Sequence, residues 1–501
     1  MTTTTTQTAP TRAPAAESTA NPKRWWILAI LGIAQLMVVL DATVVTIALP
    51  TAQIDLGFSD NARQWIVTAY ALAFGSLLLI GGRIADVIGR KWVLIAGLAG
   101  FAVASAIGGA SVNVGMLIGA RAVQGLFAAL LAPAILSLLT TTFTEPLERA
   151  KAFGIFGAIA GAGASIGLLL GGFLTEYANW RWTMYVNPIF AAVALVGVYL
   201  LLQHSKAAHR AKLDIRGTVV VSAGLFALVY GFSHADTSGW GNGVTIGLLV
   251  AAGVLLTGFV LMQQRIANPL LPLRIIVDRN RGGSLLAMFM ASVGLFGVFL
   301  FLTFYLQASL GYSAVKSGLA FLPLTGVLVV VSAVASTRLI PRVSPKVLIP
   351  LGLAISAVAM YLLTHISLTS GYTSHVLPAL LLLGAGLGLV FATAFGLATL
   401  GVQGSDSGVA SAAVNTMQQV GGSIGTALLN TIAATAAASY AAAHIGSGSQ
   451  HLVQATAAVH SYTVIFWWSA GIFALGALLT ALILRRGVPQ MDPEAAESVV
   501  L

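Results

Sequence analysis

Asp41 interrupts an uncharged apolar stretch that opens at Trp25 and closes with Leu40-Asp41-Ala42-Thr43-Val44-Val45-Thr46-Ile47-Ala48-Leu49-Pro50. Arg121 does the same in a later stretch, at a similar depth of roughly 10 Å from its far end if both are helical. A carboxylate inside hydrocarbon costs several kcal/mol and is seldom kept without a task. Low-dielectric surroundings favour the neutral acid, whereas a guanidinium at the same depth favours the carboxylate. A group held between those pulls takes up or yields a proton on a modest change of geometry, or when a cation arrives. Asp41 and Arg121 are therefore the candidates for proton coupling. A static ion pair that only fixes helix packing is the plainer alternative.

Other residues qualify through flexibility or adaptable contact. Gly81-Gly82-Arg83-Ile84-Ala85-Asp86-Val87-Ile88-Gly89-Arg90-Lys91 reads as a tight turn with one acid among three bases. Gly82, Asp86, Gly89 and Arg90 would latch one conformation and release another, although an ordinary basic turn has the same composition. Gly163, Gly167 and Gly171, with Gly157 and Gly161 before them, repeat small residues at spacings that let backbones approach and slide. Gln124, Asn415, Gln418 and Gln419 offer hydrogen bonds, and Phe296 and Tyr305 offer aromatic faces within a Met/Phe-rich stretch. Such side chains suit a site for varied apolar molecules.

All of these must be positioned by membrane-spanning helices. The chain is 57% hydrophobic and only 8% charged, where soluble domains carry about a quarter charged residues. Fourteen apolar runs approach the roughly 20 residues that cross a bilayer: 25–49, 63–82, 92–111, 115–138, 152–175, 183–202, 216–234, 244–264, 284–308, 318–340, 347–366, 376–398, 407–437 and 461–484. If the N-terminus is cytoplasmic, only Arg63, Arg181 and Lys316 of the 25 basic residues fall in outer segments, and Arg121 lies within a run. That bias predicts both termini in the cytoplasm and an even number of spans. It also explains the net charge of +10 without a nucleic-acid partner. With no cysteine, disulfides and thiolate sites are excluded. No G-x-x-x-x-G-K-[ST] loop is present to bind ATP, and no carboxylate cluster, metal-ligand set or nucleophile–base pair suggests an enzyme.

The sequence repeats itself. Gly163-Ala164-Ser165-Ile166-Gly167 returns as Gly421-Gly422-Ser423-Ile424-Gly425, and Val93-Leu94-Ile95 returns as Val347-Leu348-Ile349, at nearly equal offsets. Two six-helix bundles parted by an extra pair would give both offsets. The expected division is a disordered tail over 1–22, a first bundle over 23–205, two inserted helices with linkers over 206–282, a second bundle over 283–486 and a disordered tail over 487–501. Paired bundles of this kind characterise alternating-access carriers.

Several stretches resemble the fourteen-spanner drug:proton antiporters of the major facilitator superfamily. Leu40-Asp41-x-Thr43-Val44-Val45-x-x-Ala48-Leu49-Pro50 is similar to that branch's first-helix signature. Gly82-Arg83-x-Ala85-Asp86-x-x-Gly89-Arg90-Lys91 is similar to the superfamily's loop 2–3 motif, and Arg121-Ala122-Val123-Gln124-Gly125 to its R-x-x-Q-G motif. The fifth run with Trp180-Arg181-Trp182 and Asn187-Pro188 resembles the antiporter motif and its exit, without the usual proline before the final glycines. Asn415-Thr416-Met417-Gln418-Gln419-Val420-Gly421-Gly422 resembles the thirteenth-helix signature. The resemblance implies an all-α major facilitator fold and export of amphipathic drugs against protons across the cytoplasmic membrane. It implies no cofactor or metal, and a monomer whose partners are substrate, protons and lipid bilayer. A narrow exporter of one metabolite or self-made antibiotic is the nearest alternative. An importer of a polar nutrient or a membrane-embedded transferase fits less well.

With no second acid deep in a run, a bis-cation is expected to be exported more slowly than a monocation of matched lipophilicity. Equal rates for the two in proteoliposomes would contradict a single intramembrane carboxylate.

Overall fold

The computed structural model describes residues 22–58, 60–202, 214–266, 269–400, 402, 407–445 and 449–488. The expected terminal tails lie almost wholly outside these. Among the described residues, fourteen helices of at least 19 residues run in sequence: α1 Arg24–Leu56, α2 Asp60–Ile88, α3 Arg90–Gly109, α4 Val114–Thr142, α5 Pro146–Tyr177, α6 Trp182–Leu201, α7 Ile215–Ser238, α8 Gly243–Gln263, α9 Arg279–Phe304, α10 Ala314–Val334, α11 Pro345–Leu363, α12 Leu377–Thr399, α13 Ser407–Ala443 and α14 Gln450–Ile483. A five-residue helix, Leu273–Val277, precedes α9, and wider π-type turns extend α9 and α10 and open α12. Thirteen of the fourteen are long and apolar enough to cross a membrane; α5 contributes a shorter apolar segment, Ile166–Tyr177. Helices dominate because a backbone in hydrocarbon must satisfy its own hydrogen bonds.

Helix ends are specified by side chains. Asn113, Asp214, Asn242, Ser313 and Ser449 accept from backbone N–H groups at the starts of α4, α7, α8, α10 and α14. At the opposite polarity, bases cap carbonyls: Lys91 Nζ donates to Leu202 O at the end of α6, and Arg279 Nε to Ile483 O at 2.8 Å at the end of α14. The starts of odd helices and the ends of even ones thus gather at one basic end of the molecule.

Packing follows the repeat. Helices α1–α4 and α6 pack mainly on one another, as do α9–α14, giving two six-helix bundles; α5 packs on α1 of the first and at least as heavily on α10 and α12 of the second, and α13 also packs on α2 and α4. The inserted pair lies beside the second of these seams. Thr68 and Ser233 hydroxyls are 3.1 Å apart between α2 and α7, and Trp240 Nε1, in the α7–α8 turn, donates to Thr431 Oγ1 of α13 at 2.9 Å. The bundles are closed together at the basic end. There Arg149 Nη2 donates to Thr399 O at 2.9 Å, and the Phe156 and Phe395 rings meet edge-on at 5.4 Å.

Two boundaries differ from expectation. The turn expected over 81–91 is helical through Ile88, and the chain reverses at Gly89 alone, whose φ of 107° suits glycine. Arg83 and Asp86 end the hydropathic run without ending the helix. Likewise α1 continues past Pro50 to Leu56, which membrane helices tolerate.

The closed seam can be locked. A Cβ built at Gly157 lies 3.4 Å from Phe391 Cβ, close to the separation in a disulfide. In this cysteine-free chain, Gly157→Cys with Phe391→Cys is expected to form a bridge on mild oxidation, arrest transport and recover on reduction. Undiminished transport by the oxidised variant would show that this seam does not open.

Candidate functional site

Asp41 is fully buried, and its carboxylate is met by donors from two helices. Arg121 Nη1 of α4 lies 2.5 Å from Oδ2; Gln124 Nε2 of α4 and Asn187 Nδ2 of α6 donate to Oδ1 at 3.0 and 2.7 Å. Arg121, 1% exposed, also donates to Gln124 Oε1 at 3.0 Å. Its guanidinium carbon sits 4.3 Å from the centroid of the Tyr70 ring on α2, a cation–π contact. Ser105 of α3 completes the cluster, accepting from Gln124 at 3.0 Å and Asn187 at 2.9 Å.

Local sequence explains the assembly. Arg121 and Gln124 are one helical turn apart and so share a face. Gly125 lets that face reach α2: a Cβ there would stand 2.4 Å from Tyr70 O. Pro188 has no N–H to give the carbonyl four residues earlier. That carbonyl, Met184 O, receives Ser105 Oγ at 2.8 Å instead. Donating there turns the Ser105 lone pairs toward the two carboxamides. An ion taken out of water loses several kcal/mol, regained only with close geometry and further hydrogen bonds; this cluster supplies both.

Asp41 and Arg121, which the sequence put at similar depth without showing contact, are paired, and the cluster includes Gln124, which had been expected at the substrate. Ser105, Asn187 and Tyr70 were not among the expected site residues. Of these only Asn187 left a trace, as an Asn-Pro pair within an apolar run.

The other expected residues divide. Gly82 is buried within α2, and Asp86 Oδ1 accepts from Arg90 at 3.4 Å across the Gly89 turn. Gly163, Gly167 and Gly171 are not at the face between bundles, a correction to the sliding-interface expectation. They pack on α1, where added Cβ atoms would lie 2.6 Å from Val39 Cγ1, 1.9 Å from Thr43 Oγ1 and 3.0 Å from Val44 Cα. The face of α5 turned to the second bundle carries Gly154, against Ser336, and Gly157, against Phe391. Tyr305 is also corrected: it is buried, and its hydroxyl donates to Ser367 O at 2.8 Å and Ser370 O at 3.1 Å, anchoring a loop. Asn415 is buried and donates to Ser411 O at 2.9 Å within α13. Gln418 and Gln419 are half-buried, Gln419 facing Gly75 of α2. The side chain of Phe296 lies outside the described residues.

Arg121→Met leaves a buried carboxylate without its cation, which is expected to cost about 3–5 kcal/mol and lower the thermal midpoint in detergent. Adding Asp41→Asn to the same chain should recover most of the loss. A single variant as stable as the parent would mean that the pair is not ionised.

Comparison with known proteins agrees with this architecture. The family model for the Major Facilitator Superfamily matches residues 31–426. The chain is similar to the puromycin resistance protein pur8 of Streptomyces alboniger, 47% identical over 96% of this chain and 95% of that protein. It is also similar to the cephamycin export protein CmcT of Amycolatopsis lactamdurans, 39% identical over 80% of this chain and 83% of that one. Among solved structures, the human organic anion transporter MFSD10 (TETRAN) shares the fold, with a TM-score of 0.63 at 16% identity over 92% of this chain and 100% of that one. The chain belongs to the Major Facilitator Superfamily, as a multi-pass, fourteen-helix membrane transporter rather than an enzyme.

Proposed function

We propose that this chain exports amphipathic drugs or other toxic small molecules from the cell in exchange for protons, with Asp41 as the proton carrier and Arg121 as its counter-ion. The observation that carries the reading is a single carboxylate, shut from solvent and held by a guanidinium and two carboxamides. Protonation would cancel the charge that binds Arg121 and loosen α1 from α4. The α5 glycines contact α1 beside Asp41, while another face of α5 contacts the second bundle. A change at the carboxyl therefore has a short packed route to the seam between bundles. We take 23–205 and 283–486 as the bundles that rock, 206–282 as the inserted pair, and both termini as cytoplasmic from the distribution of basic residues. The seam closed at the basic end then makes the described conformation the one shut toward the cytoplasm. One chain holds the whole carboxylate cluster, so a monomer suffices.

The driving force is adequate. A proton gains about 2.3 kcal/mol per 100 mV and about 1.4 kcal/mol per pH unit. Together these sustain a gradient on the order of several hundredfold to a thousandfold for a neutral substrate. A monovalent cation exchanged for one proton moves no net charge, so the pH difference alone drives it.

A narrower reading has an observation in its favour. The relatives pur8 and CmcT are each named for one antibiotic, puromycin or a cephamycin, so this chain is a candidate exporter of a single natural product. Susceptibility of an efflux-deficient host, with and without the gene, to puromycin, a cephamycin and unrelated lipophilic cations separates the two. Protection against several classes supports the broad reading, and protection against one supports the narrow.

Coupling is tested in proteoliposomes. Asp41→Asn should elute as a folded protein yet lose export driven by an imposed pH difference. Undiminished export by that variant refutes Asp41 as the carrier.

A further inference from the structure

We infer that Asn187 is the acceptor that receives the proton's hydrogen bond once Asp41 is protonated, so that its carboxamide reverses roles with each transport cycle. This inference rests on Asp41 as the proton carrier and names the group that completes its neutral form.

The cluster holds a fixed number of donors and acceptors. Every partner of the carboxylate is a donor: Arg121 Nη1 to Oδ2, and Gln124 Nε2 with Asn187 Nδ2 to Oδ1. That set satisfies an ionised acid and leaves no place for an O–H. A protonated Asp41 becomes a donor and needs an acceptor in contact. Gln124 Oε1 is held on Arg121 Nη1 at 3.0 Å, and turning that carboxamide toward the new O–H would give up this bond to the guanidinium. Ser105 Oγ donates to Met184 O and accepts from both Gln124 and Asn187, which fills both of its lone pairs. Asn187 Oδ1 is buried and has no partner among the described residues. Buried polar atoms are rarely left unpaired, and one that is calls for an explanation. Its own carboxamide already touches the carboxyl, at 2.7 Å through Nδ2.

The step balances simply. A hydronium ion from the outer side gives its proton to Oδ1 of Asp41, forming one O–H bond and releasing water; Arg121 loses its counter-charge. A turn of the Asn187 carboxamide then withdraws Nδ2 and presents Oδ1 to the new O–H. On the inner side the proton leaves to water, and the carboxamide turns back. The titratable or charged groups facing this cluster are Asp41 from α1, Arg121 from α4 and Tyr70 from α2, while α3 and α6 contribute Ser105 and the Met184 carbonyl, which do not titrate. Among the described residues the Tyr70 hydroxyl is also buried without a partner, but its ring is committed to the Arg121 face, and no hydrogen bond joins it to Asp41.

Infrared difference spectra of the full-length protein in lipid, acid minus neutral, decide the matter. The expected result is an acid-induced carboxyl band that Asp41→Asn lacks. An asparagine side-chain carbonyl, identified by ¹³C-asparagine labelling, should shift with it to lower frequency, and that shift should vanish in both Asp41→Asn and Asn187→Leu. Should Asn187→Leu fail to fold, the labelled parent and Asp41→Asn spectra suffice. An Asp41-dependent carboxyl band with no asparagine shift overturns the inference while leaving proton coupling intact. So does a response removed by Tyr70→Phe in place of the asparagine shift. Absence of any Asp41-dependent band overturns the inference and the coupling reading together.

Discussion

A carboxylate withdrawn from water has to be neutralised or surrounded by donors, and the first bundle is arranged around that requirement. One negative charge on α1 recruits a guanidinium and a carboxamide from α4, a second carboxamide from α6, a hydroxyl from α3 and an aromatic face from α2. Removing one partner of a buried pair costs more than the pair itself contributes. The proposed coupling uses that asymmetry: a proton on the carboxyl would act electrically like removal of one partner, at a cluster to which five helices contribute.

Under the proposed coupling, such a change would have a mechanical outlet. Glycines on one face of α5 bring its backbone against α1 at Leu40, Thr43 and Val44, the residues around Asp41. Other residues of α5 meet the second bundle through Gly154, Gly157, Phe156 and Arg149. Packed interiors transmit displacement because they have little room to absorb it. Helix α5 thus lies between the charge and the seam, and the absence of Cβ atoms at its contacts permits that closeness.

Much of this was legible in the residues, for reasons that also explain what was not. Charges stand out in hydrocarbon, so Asp41 and Arg121 were singled out and prove to be paired, and the run count matched the helices because composition and length suffice to place spans. Ser105, Tyr70 and Asn187 were missed because uncharged polar residues are common in membrane helices and nothing in spacing distinguishes one that binds a carboxylate. The glycines of α5 announced close packing but not the partner, since spacing fixes a face and not its neighbour. Tyr305 misled because an aromatic in a Met/Phe-rich stretch suits a ligand site and a loop anchor equally well, and the difference lies in Ser367 and Ser370, some sixty residues away. Hydropathy misjudged the end of α2 because Arg83 and Asp86 lower it while the helix continues to Gly89.

The central claim is that one acid exchanges a proton for substrate, and its most direct measurement is proton release from purified protein on substrate addition, followed with a pH dye in weakly buffered detergent solution. The account predicts release of protons by the parent chain, on the order of one per substrate bound, and none by Asp41→Asn. Substrate binding without release in the parent, or equal release in Asp41→Asn, would contradict it.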